Sequence, residues 1–356
     1  MQMTEEAGAA VAEAPVHAIT LLPSGKSFTS QVGESVLDAA LRQGILLPHQ
    51  CKTGTCGACR ARVVDGEAAC LPGAQPTALA ADEAGQGVRL LCCTGATSNL
   101  RIECAEIPHI PGIAVRKLPV RVAAMERLAP DVMRLQLQPP AGQRLHYAAG
   151  QYVDVLLPGN RRRSYSLATP AQEGQELLEL HIRHLPGGLF TDQVFGRLKA
   201  RDVLRVEGPF GTFGMHDGAS MAPAILLASG TGFAPIKALV EQLLAMGSER
   251  RIHLYWGGRA QQDLYLHALC LAWEKTLQGR LAYVPVLSDS PEADGWAGRT
   301  GWVHQAVLQD HADLSQHEVY ACGAPAMVDA ARRDFAALAG MRPAAFFADA
   351  FVAQPG

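Results

Sequence analysis

No apolar run in this chain approaches the ~18 residues that a membrane-spanning helix requires. A helical membrane protein is therefore not expected. Neither sign of charge dominates: 31 Lys and Arg stand against 34 Asp and Glu, a net charge of -3. The cationic surface that a phosphate backbone demands is thus not a main feature, and nucleic acid is not an expected partner. The opening MQMTEEAGAAVAEAP has neither a cationic start nor a long apolar core. It does not read as a secretory signal. Residues 1–16 are expected to form a flexible tail, and the protein to be cytoplasmic. Cysteine is scarce beyond the first third, where only Cys270 and Cys322 occur. A disulfide framework is not expected in a large leaderless chain. There is no internal repeat. At 48% hydrophobic and 18% charged residues, the composition is too apolar for a disordered chain.

What is present falls into three patterns. A length of 356 residues suggests two or three domains at roughly 100–200 residues each. Residues 17–106 open with two strand-like runs around Pro23-Ser-Gly25, then show helical spacing at Val36, Ala39, Ala40 and Ile45 with Gly44 as a stop. This third is the acidic part: residues 1–110 carry 7 basic and 11 acidic side chains. A linker without clear periodicity, rich in proline, is expected at 107–117. Residues 118–215 hold closely spaced alternating runs (VMRLQLQ, QYVDVLL, RSYSLA, LLELHIRHL, DVLRVEG), which predict an antiparallel barrel. Residues 222–356 switch to four strand-then-helix units, which predict a parallel sheet with crossover helices.

Seven of the nine cysteines lie between Cys51 and Cys104. Among them, Cys51, Cys56 and Cys59, with Cys92 33 residues further on, follow the C-x4-C-x2-C…C spacing of plant-type [2Fe–2S] ligation. Gly54 and Gly57 permit a tight loop whose amides can face anionic sulfur. Zinc is the alternative, although structural zinc sites favour paired C-x2-C knuckles. The fourth ligand is ambiguous because Cys92 and Cys93 are adjacent. The run LLCCTGATSNL resembles a ferredoxin ending and places the ligand at Cys92. Cys70, Cys104 and Cys270 are expected to pack as small buried side chains.

Arg163-Ser-Tyr165-Ser166 matches an R-x-Y-S pattern, which alone could be a plain strand. Some twenty residues on, LPGGLFTDQVF contains Gly187, Gly188 and Thr191 ahead of a predicted helix, and Gly208-Pro-Phe-Gly211-Thr-Phe213 follows. In the last segment, Gly230-Thr231-Gly232 with Pro235 lies between a strand and a helix. It is not the G-x-G-x-x-G of the Rossmann fold, but a helix start beneath a glycine loop suits a pyrophosphate. Tyr255-Trp-Gly-Gly-Arg259…Asp263-Leu-Tyr265 and Cys322-Gly323-Ala-Pro325…Met327 complete the series.

Taken in this order, the motifs resemble the ferredoxin–NADP⁺ reductase superfamily. Specifically, they resemble its iron–sulfur flavoproteins with an N-terminal plant-type ferredoxin domain, such as oxygenase reductase components and reductases of 3,6-dideoxysugar synthesis. The resemblance implies a β-grasp ferredoxin, an FAD-binding barrel and a nicotinamide-binding α/β domain. It assigns Arg163 to the flavin pyrophosphate, Tyr165 to the isoalloxazine, and Ser166 to its reactive edge. Gly187, Gly188 and Thr191 fall to the pyrophosphate. Gly230, Thr231, Gly232, Pro235, Arg259, Asp263 and Gly323 fall to the nicotinamide nucleotide. Cys322 would lie near the nicotinamide, although a buried packing residue is the alternative. A terminal aromatic would cover the flavin, with Phe351 the candidate and Phe347 the second. NADH is expected over NADPH, because Arg259 has no cationic neighbour in sequence for a 2′-phosphate and Asp263 is unfavourable to one.

The implied activity is hydride transfer from NADH to FAD, then single-electron transfer through the cluster to a protein partner. That partner is expected to be an aromatic-ring oxygenase component, or alternatively a sugar dehydratase. A non-catalytic zinc module on a degenerate flavin fold is the alternative of another class.

Overall fold

The computed structural model describes residues 16–49, 52, 54, 57–104, 113–159, 161–172, 176–215, 220–289 and 295–352. By contact density the chain divides into two units, residues 1–109 and 110–356.

In the first unit, β1 (Val16–Leu22) and β2 (Ser27–Gln31) form the expected hairpin. Ser35 then caps α1 (Val36–Arg42), its Oγ accepting the Asp38 N–H at 3.0 Å. Gly44 takes φ +75° just past the helix, a backbone conformation that ends it without strain. The remaining elements are β3 (Arg60–Asp65), β4 (Ala68–Cys70), α2 (Ala81–Gly85), β5 (Val88–Leu90), β6 (Thr94–Ala96) and β7 (Leu100–Glu103). Five strands make one sheet in the order β2-β1-β7-β3-β5, with β1 parallel to β7 and the other pairs antiparallel. Val36, Leu37 and Ala40 of α1 pack with Ile19, Leu21 and Ile102 of this sheet, the β-grasp arrangement. Strands β4 and β6 pair separately. Cys70, expected in the core, is exposed on β4. On this three-residue strand Ala69 and Cys70 are both exposed, and the thiol lies 3.8 Å from the Ala74 carbonyl.

The second unit begins with β8 (Arg116–Ala129), a 14-residue strand that the sequence reading did not anticipate. It is followed by β9 (Val132–Gln138), β10 (Tyr152–Leu157), β11 (Arg161–Ser166), β12 (Leu178–Arg183), α3 (Thr191–Gly196) and β13 (Val203–Phe210). The expected linker falls largely on residues outside those described. The six strands run antiparallel in the order β11-β10-β13-β8-β9-β12. A bridge between Leu167 and Leu180 joins the two ends of the sheet and closes it into a barrel. Inward-facing Leu118, Val120, Leu135, Val153, Leu180 and Val206 fill the interior.

The chain then alternates β14 (Ala224–Ser229), α4 (Phe233–Ala245), β15 (Ile252–Gly258), α5 (His267–Leu277), β16 (Leu281–Leu287), β17 (Arg299–Thr300), α6 (Val303–Asp310), β18 (Glu318–Gly323), α7 (Pro325–Ala339) and β19 (Phe346–Ala350). All six strands are parallel, in the order β17-β16-β15-β14-β18-β19. The order reverses between β14 and its neighbours, and in open parallel sheets ligands sit at that point, beyond the strand carboxyl ends. Buried residues of the two sheet faces form separate cores, one around Phe233, Trp256 and Cys270, the other around Val307, Ala331 and Phe335. Among the described residues no helix is long and apolar enough to cross a membrane.

Candidate functional site

In the first unit, Cys51 and Cys56 lie outside the described residues. The other two candidate ligands meet: Cys59 Sγ and Cys92 Sγ are 3.3 Å apart although 33 residues separate them. That hydrogen bond and burial push the Cys92 thiol well up. Two thiols brought this close from distant parts of the chain supply part of the thiolate set that an iron–sulfur group needs, so the donors present fit such a group. Ahead of Cys59, Gly54 and Gly57 take left-handed backbone, with φ +83° and +73°. A Cβ at Gly54 would sit 2.6 Å from both Cys93 Sγ and the Gln75 carbonyl. Cys93, 3% exposed, lies against the Gly54 backbone with its Sγ 3.7 Å from Cys92 Sγ, while Cys92 faces Cys59. Arg60 was not anticipated. Its guanidinium donates to the carbonyls of Gly57 and Ala78 and pairs with Glu83 at 3.2 Å, pinning the loop from outside.

In the second unit, period-two geometry on β11 puts Arg163 and Tyr165 on one face. The Tyr165 ring packs on Phe190 at 5.5 Å, and burial pushes its hydroxyl well up, so it serves as a flat apolar surface. In the glycine turn, Gly187 takes φ +80° and its N–H donates to Asp192 Oδ2 at 3.1 Å, which shows this amide directed at an anionic group. Thr191 Oγ1 donates to the Leu185 carbonyl at 2.8 Å and accepts the Leu185 N–H at 3.2 Å. Its hydroxyl therefore holds the turn that carries Gly187 and Gly188.

Across from the barrel, Gly230 stands at φ +52°, and its carbonyl accepts the Trp256 Nε1–H at 3.0 Å. Trp256 stacks on Phe233, the first residue of α4, with centroids 3.8 Å apart. The Gly230-Thr231-Gly232 loop is thereby fixed over the helix start, with Pro235 buried in the first turn. Gly232 presses on the Cys322 carbonyl and Gly323 on Ser229, so a side chain at either glycine would collide with backbone. The Ser229 hydroxyl accepts the Ala324 N–H at 2.9 Å, tying the two nucleotide loops together.

Register brings the remaining expected residues together. Cys322 of β18 is paired with Asp349 of β19. Ser166, from the barrel, donates to Asp349 Oδ2 at 3.4 Å. Phe351 follows the strand end, its N–H bonded to the Gly323 carbonyl at 2.7 Å. Phe347 stacks on Tyr320 at 4.9 Å, and both it and Phe351 pack against the same core. Burial pushes the Cys322 thiol well up, and the Asp349 charge adds to this. Burial also lifts the Asp349 carboxyl to about 7, against the bond from Ser166. The site thus contains a carboxyl able to hold a proton near neutral pH, which the sequence reading missed. An aspartate in an apolar FFADAF run carries no local mark of burial.

Two further differences concern the nucleotide half. Asp263 is 4% exposed and fully engaged: Oδ2 accepts the N–H groups of Arg259 and Ala260 at 2.9 and 3.1 Å, and Oδ1 accepts from Arg183 at 2.9 Å. Two loop amides and the Arg183 guanidinium thus surround this carboxylate, contacts that its place in the sequence does not reveal. Arg259 remains outward, its side chain 70% exposed. Arg183, not singled out in the sequence, spans Asp131 and Asp263 and lies against Gly230. It brings a guanidinium to the nucleotide loop from the barrel side.

Three family models match in this same order. Residues 19–97 match a 2Fe-2S iron-sulfur cluster binding domain, residues 119–215 an oxidoreductase FAD-binding domain, and residues 226–333 an oxidoreductase NAD-binding domain. The CDP-6-deoxy-L-threo-D-glycero-4-hexulose-3-dehydrase reductase of Yersinia pestis is 39% identical over 94% of this chain and 98% of its own. This chain belongs to the ferredoxin–NADP⁺ reductase superfamily, among its iron–sulfur flavoprotein reductases. A second relative of this reductase is the terephthalate 1,2-dioxygenase reductase component 1 of Comamonas sp., 35% identical over 95% of this chain and 98% of that one. Among solved structures, the Amycolatopsis cytochrome reductase GcoB aligns with a TM-score of 0.79 at 32% identity, over 94% of this chain and 98% of that one. The reductase is therefore an NAD(P)H-dependent oxidoreductase whose domains take a [2Fe–2S] cluster, FAD and a nicotinamide nucleotide.

Proposed function

We propose that this reductase uses NADH and delivers single electrons through its cluster to a terminal oxygenase component acting on an aromatic ring. The observation that carries the reading is the meeting of Ser166, Cys322 and Asp349 where the flavin barrel faces the carboxyl end of the parallel sheet. That place supports the hydride-transfer part of the reading, and the likeness to the terephthalate 1,2-dioxygenase reductase component supports the oxygenase acceptor. When bound, FAD supplies the switch between two-electron and one-electron chemistry.

The chain's own residues do the rest. Arg163 and the Gly187–Gly188 turn hold the flavin pyrophosphate, and Tyr165 supports its ring. The Gly230–Gly232 loop, Pro235 and the α4 start hold the nicotinamide nucleotide, with Arg183 and Arg259 at its flanks. Phe351 covers the flavin until nucleotide arrives. Cys322 and Asp349 line the hydride path, and Asp349 keeps a proton beside Ser166. Cys51, Cys56, Cys59 and Cys92 hold the cluster. For NADH over NADPH the support is the isolation of Arg259, which has no second cation beside it in sequence.

The dehydrase reductase of Yersinia pestis supports a second reading, in which the electron acceptor is a sugar dehydrase. Anaerobic NADH titration followed by visible absorption and low-temperature EPR tests the shared part. Flavin bleaching with a rhombic signal of one reduced [2Fe–2S] centre is expected, and a colourless, zinc-bound protein would overturn it. Reduction of purified oxygenase components or of a sugar dehydrase then separates the two acceptors.

A further inference from the structure

Lys237 sits in the second turn of α4 and is 5% exposed. A buried ammonium is costly unless it is paired and hydrogen-bonded, so its partners carry information. Its Nζ donates to the Ala168 carbonyl at 3.1 Å and pairs with Glu179 Oε1 at 3.2 Å and Glu241 Oε1 at 2.9 Å. Glu241 is one turn along the same helix. The other two partners belong to the barrel. Ala168 lies two residues past Ser166, on the chain leaving β11, and its N–H donates to the Glu179 carbonyl at 2.8 Å.

The nucleotide domain grips the barrel at a second point on the same strand. Glu179 Oε1 also meets His181 Nε2 at 3.0 Å, and His181 Nδ1 meets the Tyr265 hydroxyl at 3.0 Å. The Tyr265 ring packs edge-on against Trp256 at 5.1 Å, and Trp256 holds the Gly230 carbonyl. Burial holds the His181 imidazole neutral, against the pull of Glu179. Burial works against the Glu179 charge too, but His181 and Lys237 outweigh it and hold the carboxylate down at about 2. The β12 pair Glu179–His181 is therefore held from one side by the helix under the nucleotide loop, and from the other by the segment that shapes that loop.

We propose that Lys237 is a positioning residue for hydride transfer, fixing the nucleotide helix to the flavin strand with Glu179 as its anchor on the barrel. This rests on the placement of FAD and nicotinamide given above. Transfer requires donor and acceptor within about 3–3.5 Å, and small misplacements cost large factors in rate. Lys237 ties α4 directly to the peptide that follows the flavin motif, so slack in that tie becomes slack between the two reacting rings.

The test is anaerobic rapid mixing of the FAD-loaded full chain with NADH at several concentrations. For Lys237→Met, the limiting rate of flavin reduction is expected to fall about tenfold or more, on the cost of a misplaced reactant. FAD content should be retained and half-saturating NADH should stay within about twofold, as expected where only the transition-state geometry suffers. Lys237→Arg should recover most of the rate. An unchanged limiting rate, or a loss that only tracks lost FAD, would overturn the proposal. If Lys237→Met does not fold, Glu179→Gln removes the anchor's charge at nearly constant shape, and an unchanged limiting rate there overturns it equally. Failure of NADH to bleach the parent flavin would instead sink the cofactor placement itself.

Discussion

The two units place their chemistry in opposite ways. In the first, the ligand candidates crowd into one loop plus a single distant cysteine, and the structure brings that cysteine to 3.3 Å from Cys59. In the second, the groups that meet are far apart in sequence: Ser166 and Asp349 by 183 residues, Arg183 and Asp263 by 80, Lys237 and Ala168 by 69. A metal group needs several donors around one point, and a short loop of fixed spacing supplies them locally. Hydride transfer needs two flat cofactors face to face, which only two separately folded layers can arrange. Spacing therefore reveals the first site, and topology makes the second.

The sharpest way to break this contrast is at the paired cysteines. Cys92→Ser is expected to abolish the rhombic EPR signal and lower cytochrome c reduction about 100-fold or more, because a four-thiolate site loses a ligand. NADH–ferricyanide activity, which stops at the flavin, should remain. Cys93→Ser should leave both intact, since Cys92 is the thiol that stands 3.3 Å from Cys59. The reverse pattern would move the ligand to Cys93. Loss of ferricyanide activity in Cys92→Ser would mean that the first unit is needed for the second to work.

The same contrast explains what could be read in advance. The alternating runs of the barrel marked β9, β10, β11, β12 and β13, because one wet and one dry face impose period two. Strand β8 escaped notice. Its apolar positions Leu118, Val120 and Val122 alternate with Lys117, Pro119 and Arg121, but Pro119 and the proline-rich stretch before it read as linker. The glycines of the nucleotide loops were legible because their backbone requirements are local. Asp349 and Lys237 were not. A lysine in an amphipathic helix ordinarily points to water, and two of the three partners that explain its burial, Glu179 and the Ala168 carbonyl, lie on the barrel. The contacts of Asp263 were not legible either, since its two capping amides and Arg183 become visible only in three dimensions.

A middle-sized effect is expected at Arg163. It shares a face of β11 with Tyr165 and is half-buried, so its removal should weaken FAD through one charge-assisted contact. Arg163→Ala should raise the FAD dissociation constant about tenfold, the equivalent of roughly 1.4 kcal/mol. Cluster content in the first unit should stay the same. The check is equilibrium FAD titration of deflavinated protein by fluorescence quenching. An unchanged constant would return Arg163 to the role of a strand residue and shift the pyrophosphate to the Gly187 turn alone.

The smallest effect, and the one that probes the hidden half of the comparison most directly, is a pH dependence of stability. Burial lifts the Asp349 carboxyl to about 7, against about 3.9 in an unfolded chain. A raised folded value means that the folded state holds a proton which the unfolded state gives up. Its stabilising contribution is complete below about pH 4 and is lost as pH rises through 7. Between pH 6 and 8 the loss is on the order of 1.4 kcal/mol, or roughly 2–4 °C in the melting of a unit of this size. Glu179, held at about 2, does not titrate in that window, so it leaves the slope untouched. The measurement is the melting midpoint of the FAD-loaded protein at pH 6, 7 and 8, for the parent and for Asp349→Asn. The amide cannot titrate, so the variant should show a flatter profile by that amount. Equal slopes would mean that Asp349 is already ionised at pH 6, and Ser166 would then be donating to a charge rather than facing a protonated acid.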